Sequence, residues 1–147
     1  MQRKLARENA FLLIFESICK SDEDKQEIFE KAVEVRGLEY DAYVKAVYFG
    51  VAEKFSEICA LTEKHFKGWK AERISPVSHA IIRLSTYEMM CMEDIPARVS
   101  INEAIELAKK YDDEKSYSFV NGVLNAVAEE LGRKWFLKKS FSELTQV

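Results

Sequence analysis

The residues from which a catalytic or metal site would have to be built are two histidines, three cysteines and 25 carboxylates. His65 and His79 have no Cys, Asp or Glu at metal-ligand spacing, which argues against a metal centre. Cys19, Cys59 and Cys91 form no Cys-x-x-Cys pair and lie among apolar neighbours, so they read as buried, reduced thiols of a reducing compartment. A Cys91–His79 dyad fails on distance, because twelve residues of unbroken helix span about 18 Å. No phosphate-cradling Gly-x-x-x-x-Gly-Lys-Ser/Thr, dinucleotide Gly-x-Gly-x-x-Gly or nucleophile-elbow Gly-x-Ser-x-Gly motif occurs. None of the carboxylates is paired in an acid/base setting. The chain reads as a binding protein that needs no cofactor and no metal, not as an enzyme.

The chemistry that remains is charge. Arg3, Lys4 and Arg7 cluster at the start of a helical pattern, Arg3 and Arg7 on one face. The helix dipole disfavours cations there by about 0.3–1 kcal/mol each. Two readings follow: a cluster kept for an anionic partner, or a solvated helix start, with Lys4 balanced by Glu8 one turn on. The stretch 21–34 is acidic and reads as a solvated face that nucleic acid would avoid. Lys64 to Arg73 interleaves Lys64, Lys67, Lys70 and Arg73 with Phe66 and Trp69, which suits either RNA contact or a surface connector with core-facing rings. The net charge of −3 excludes indiscriminate polyanion binding and leaves local patches open.

These groups must be held by helices. Five Gly and two Pro leave little punctuation for strands. Apolar spacing predicts a first helix over 3–20, a short second one within 21–34 ended by Gly37, and a long third over about 42–65 capped by Asp41. Gly50 in that third helix implies a close neighbour. Ser75-Pro76 opens a fourth helix ending near Glu93, with Arg83 and Glu88 set among apolar residues and in need of partners. Beyond Ile95-Pro96, Ser100 and Glu103 suggest a capping box, followed by a helix to Tyr111. A polar hinge, Asp112 to Lys115, precedes a last strongly apolar helix to Leu131. Gly122 within it costs about 1 kcal/mol against alanine, which predicts another close approach. Residues 132–147 add Arg133, Lys134, Lys138 and Lys139 with several aromatics, fitting a further short helix or a mobile tail. A length of 147 residues suits one domain able to bury about 68–70% of its unfolded surface. No uncharged run approaches a membrane span, so a cytoplasmic protein is expected.

Two blocks also carry a resemblance. Val99-Ser100-Ile101-Asn102-Glu103-Ala104 and, later, Phe119-Val120-Asn121-Gly122-Val123-Leu124 resemble the signature of the NusB family of transcription antitermination factors. Ala6-Arg7-Glu8 with Ala10, Ala80 to Leu84 and Tyr87-Glu88-Met89 extend the likeness over about residues 3–131, leaving 132–147 as a basic extension of a single domain, 1–147. The resemblance implies an all-α fold of two packed three-helix bundles. It implies binding of boxA single-stranded RNA of ribosomal RNA transcripts, jointly with NusE, a small-subunit ribosomal protein, within the RNA polymerase antitermination complex. Arg3, Lys4 and Arg7 match the family's basic N-terminal positions, and Phe119 a position that contacts RNA. Lys115 and Ser116 flank it at a helix entrance where free amides favour anions. Ser78 and His79 replace an acidic-basic pair in the region tied to NusE. The family also contains homodimers. Two rival readings stand beside this one: an accessory domain acting in trans with an RNA-modifying enzyme, and a protein-binding adaptor whose basic residues serve solubility.

Overall fold

Short oxygen-bearing side chains serve the free amides at four helix starts. Asp24 accepts from Glu27 N at 3.2 Å, Asp41 from Val44 N at 3.0 Å, Ser75 from Ser78 N at 3.1 Å and Asp113 from Ser116 N at 2.9 Å. These caps open α2 (Lys25–Arg36), α3 (Ala42–Glu53), α5 (Pro76–Cys91) and α7 (Glu114–Glu130), and Gly37 closes α2 in the left-handed conformation at φ 68°. With α1 (Arg3–Cys19), α4 (Phe55–Glu63) and α6 (Ala97–Tyr111) they make seven α-helices among the described residues, beside one 3-10 turn at Ala71–Arg73. The computed structural model describes residues 1–132, and no strand occurs among them. The expected helix or tail within 132–147 therefore lies, Gly132 apart, outside the described residues.

The all-α architecture is the expected one of two packed three-helix groups. In one, α1 packs against α2 and α3. In the other, α5, α6 and α7 pack pairwise. Helix α5 also packs on α1 and α3, so it joins the two halves. Its residues Ile81, Ile82, Leu84 and Met89 are almost fully buried, as its apolar sides foretold. No helix among the described residues is long and apolar enough to cross a membrane.

Four local expectations are corrected. The long third helix is two helices, because the backbone leaves helical geometry at Lys54 (φ −94°, ψ 16°). One straight rod cannot bury both stripes: α3 packs on α1 and α5, whereas α4 turns toward α5 and α7. Ser100 is no cap, since α6 already starts at Ala97 behind Pro96; Ser100 is buried and bonds side chains of α5. Gly122 is exposed, and a Cβ built there meets nothing within 4 Å. The cysteines are free but not buried: Cys19 and Cys91 are exposed and Cys59 is half-buried. Gly50 does meet a close neighbour, since a Cβ there would lie 2.4 Å from the Tyr87 ring.

Candidate nucleic-acid interface

The basic start of α1 divides on folding. Arg7 turns inward and is 4% exposed. Its Nε donates to Glu88 Oε2 at 2.8 Å and its Nη1 to Glu103 Oε1 at 3.4 Å. The same Glu88 carboxylate, fully buried on α5, accepts from the Tyr43 hydroxyl and from Ser100 Oγ at 2.7 Å. Burial alone would lower the Arg7 pKa, but Glu88, Tyr43 and Glu103 outweigh it and hold the guanidinium above its ordinary value. Arg7, expected at a phosphate, thus has its charge engaged inside the protein. Arg3 and Lys4 stay outside. The Arg3 guanidinium lies 4.3 Å from the Tyr43 ring centre. Lys4 pairs with Glu103 at 3.7 Å rather than with Glu8, its side chain 75% exposed.

Helix α6 carries the surface onward from Lys4. One groove runs between α1 and α6, bordered by Lys4, Glu8, Glu103, Glu106 and Lys110. Within it, Lys110 Nζ and the Tyr111 hydroxyl both donate to Glu8, at 2.6 and 2.7 Å. Those bonds hold the Glu8 carboxyl below its usual range. A second groove runs along the other flank of α6, where Lys109, Tyr117, Ser118 and Asn121 face Glu103 and Glu106. The Lys109 ammonium lies 5.5 Å from the Tyr117 ring centre. The two basic regions thus flank a single helix, with Glu103 and Glu106 bordering both grooves.

Phe119 lies on the far flank of α7. Its ring packs against buried Phe66 at 5.7 Å and against Trp69 at 5.5 Å. Trp69 itself is 53% exposed, so one of the two connector rings faces solvent instead of the core. Left-handed backbone at Lys67 (φ 38°) and Gly68 (φ 87°) folds the connector back, and Trp69 N bonds Phe66 O at 3.1 Å. Lys115 is exposed one turn before Phe119. Ser116 offers no free amide, because its N and Oγ both donate to Asp113 Oδ1 at 2.9 and 3.0 Å. The exposed ridge of α7, from Lys115 through Ser118 to Gly122, therefore lies between two aromatic flanks: Tyr117 with Lys109, and Phe119 with Trp69.

The two residues assigned to a partner face inward. Ser78 is 3% exposed and donates to Asp112 Oδ2 at 3.1 Å, as Ser75 does at 2.7 Å. His79 Nε2 bonds Ala71 O at 2.7 Å, and burial holds its pKa below the ordinary value against that bond. Ser78 thus ties the start of α5 to the α6–α7 hinge, and His79 ties α5 to the connector. The sequence reading missed Tyr117 and Lys109. Their signal was weak, an aromatic and a lysine on different helices, and only the α6–α7 pairing joins them.

The profile that describes the NusB family matches residues 4–129. The chain belongs to the NusB family. It is 43% identical to the transcription antitermination protein NusB of Bacillus licheniformis over 131 residues, 89% of this chain and 99% of that protein. A second NusB, from Clostridium botulinum strain Loch Maree, is 41% identical, covering 84% and 97%. Among solved structures, NusB of T. maritima superposes with a TM-score of 0.78 at 35% identity, covering 88% of this chain and 92% of that one. A complex of antitermination factors NusB and NusE with double-stranded RNA matches at 0.76 and 30%, covering 87% and 96%. The NusB likeness thus spans nearly all the described helices.

Proposed function

We propose that this chain is a transcription antitermination factor that binds an unpaired boxA-type RNA strand, jointly with NusE, for the RNA polymerase antitermination complex. The NusB relatives carry transcription antitermination in their names, and one structural relative was solved with NusE and double-stranded RNA. The observation that carries the RNA reading is the α7 ridge, with the Phe119–Trp69 ring pair on one flank and Tyr117 beside Lys109 on the other. Exposed rings suit unpaired bases, whose faces are free to stack, at about 1–3 kcal/mol per base. Arg3, Lys4, Lys109 and Lys115 supply cations for phosphates. The RNA-facing set is thus Arg3, Lys4, Lys115, Ser116 and Phe119, enlarged by Trp69, Tyr117 and Lys109, with Arg7 acting from inside. Ser78 and His79 act on a partner only by shaping the start of α5 and the connector before it.

Fluorescence titration of a labelled boxA RNA, with and without NusE, tests this. Wild type binds, NusE tightens binding, and Trp69→Ala weakens it at least fivefold while leaving the helical circular dichroism unchanged. Absence of binding in both titrations refutes the reading.

A further inference from the structure

A cavity of about 430 Å³ opens between α1, α3 and α5, apart from the ridge of α7. Its walls include Ile14, Ile18, Val51 and Phe55, and its lining includes two cations, Arg83 and Lys25. Arg83 is the unusual member. It is half-buried on α5, and its guanidinium lies 4.9 Å from the Phe55 ring centre. No carboxylate within 4 Å and no hydrogen bond serves it among the described residues. Burial holds its pKa below the ordinary arginine value, and Cys59 and Glu63 are close enough only for a weak opposing field. The sequence predicted a partner for this buried cation, and the fold gives it a ring face instead of an anion. Its neighbour Glu88, in contrast, is fully satisfied.

We propose that this cavity is a binding site for a small amphipathic carboxylate, with the carboxylate on Arg83 and an aliphatic chain along Ile14, Ile18 and Val51. A desolvated guanidinium without an anion is costly, and an entering carboxylate offsets that cost. The planar fork of arginine matches a carboxylate through two parallel N–H bonds. The volume falls within the roughly 300–1,000 Å³ of small-ligand sites. The break at Lys54 contributes by starting α4 at Phe55, whose ring lies over Arg83 in the cavity lining. The site is independent of the RNA reading.

Octanoate is the probe, with octanol as the uncharged control, read from the methyl chemical shifts of Ile18 and Val51 in the full chain. Saturable shifts with octanoate, at least tenfold weaker with octanol, are expected. Arg83→Met should reduce octanoate affinity at least tenfold and leave octanol affinity unchanged, with at most the small fall in melting temperature that losing the Phe55 ring contact brings, because no anion among the described residues pairs with the lost charge. Ala52→Phe, which fills the cavity from α3, should abolish binding of both. No saturable shift, or equal octanoate affinity in wild type and Arg83→Met, overturns the proposal.

Discussion

Arg7 shows how a surface-looking cation becomes structural. It stands three residues from Lys4 in the same basic cluster, yet its guanidinium closes a buried network joining α1, α3, α5 and α6. Removing one partner of a buried pair leaves the other charge uncompensated, at about 3–5 kcal/mol. Arg7→Met should therefore lower the urea midpoint by that much stability. Replacing Glu88 as well, in Arg7→Met/Glu88→Leu, should recover part of the loss. Recovery stays partial because the Tyr43 and Ser100 hydroxyls then lose their acceptor, at about 1–3 kcal/mol each. Equilibrium unfolding of the two single variants and the double one measures the coupling, and additive losses would show that Arg7 and Glu88 act separately. A charge reversal at Arg7 accordingly reports on folding before it reports on RNA. The sequence showed that Glu88 needed a partner, because a carboxylate inside an apolar helix face is conspicuous. It could not show which one, since Arg7 is 81 positions away.

Two helix-interior glycines look alike in sequence and differ in the structure. At Gly50 the Tyr87 ring occupies the place of a side chain, so α3 and α5 approach closely. At Gly122 the neighbouring space is open. Gly50→Ala should destabilise, because overpacking costs about 1–3 kcal/mol and the gain in helix propensity is only about 1 kcal/mol. The same substitution in a Tyr87→Ala background should stabilise. Gly122→Ala should stabilise the chain by about 1 kcal/mol. Melting temperatures of these variants check the signs, and a stabilising Gly50→Ala in the wild-type background would contradict the packing described. Features fixed by local chemistry were readable in advance: the caps at Asp41 and Ser75, the stop at Gly37 and the apolar stripes. Features that answer to remote packing were not. The break at Lys54, the early start of α6 at Ala97 and the exposed Trp69 depend on which helices lie alongside.

The whole molecule is acidic, yet its charges are sorted. Asp22, Glu23, Glu27, Glu30 and Glu34 lie exposed on and before α2, while Lys4, Lys109 and Lys115 belong to the grooved side formed by α1, α6 and α7. An RNA strand joining the start of α1 to the ridge of α7 must cross α6, where Glu106 is exposed and makes no ion pair among the described residues. A carboxylate about 4 Å from a phosphate repels it by about 1 kcal/mol in water, so Glu106→Gln should tighten boxA binding about fivefold at low salt. The gain should vanish as the Debye length shrinks from about 30 Å at 0.01 M to about 3 Å at 1 M. Lys4→Gln and Lys115→Gln should act oppositely, each reducing the dependence of log K on log salt by about 0.7. Titrations of the three variants across that salt range trace the path of the strand. If Glu106→Gln leaves affinity unchanged while both lysine variants lose it, the strand reaches the two basic regions without passing over α6. If Lys4→Gln alone is silent, the bound strand is confined to α7 and the connector.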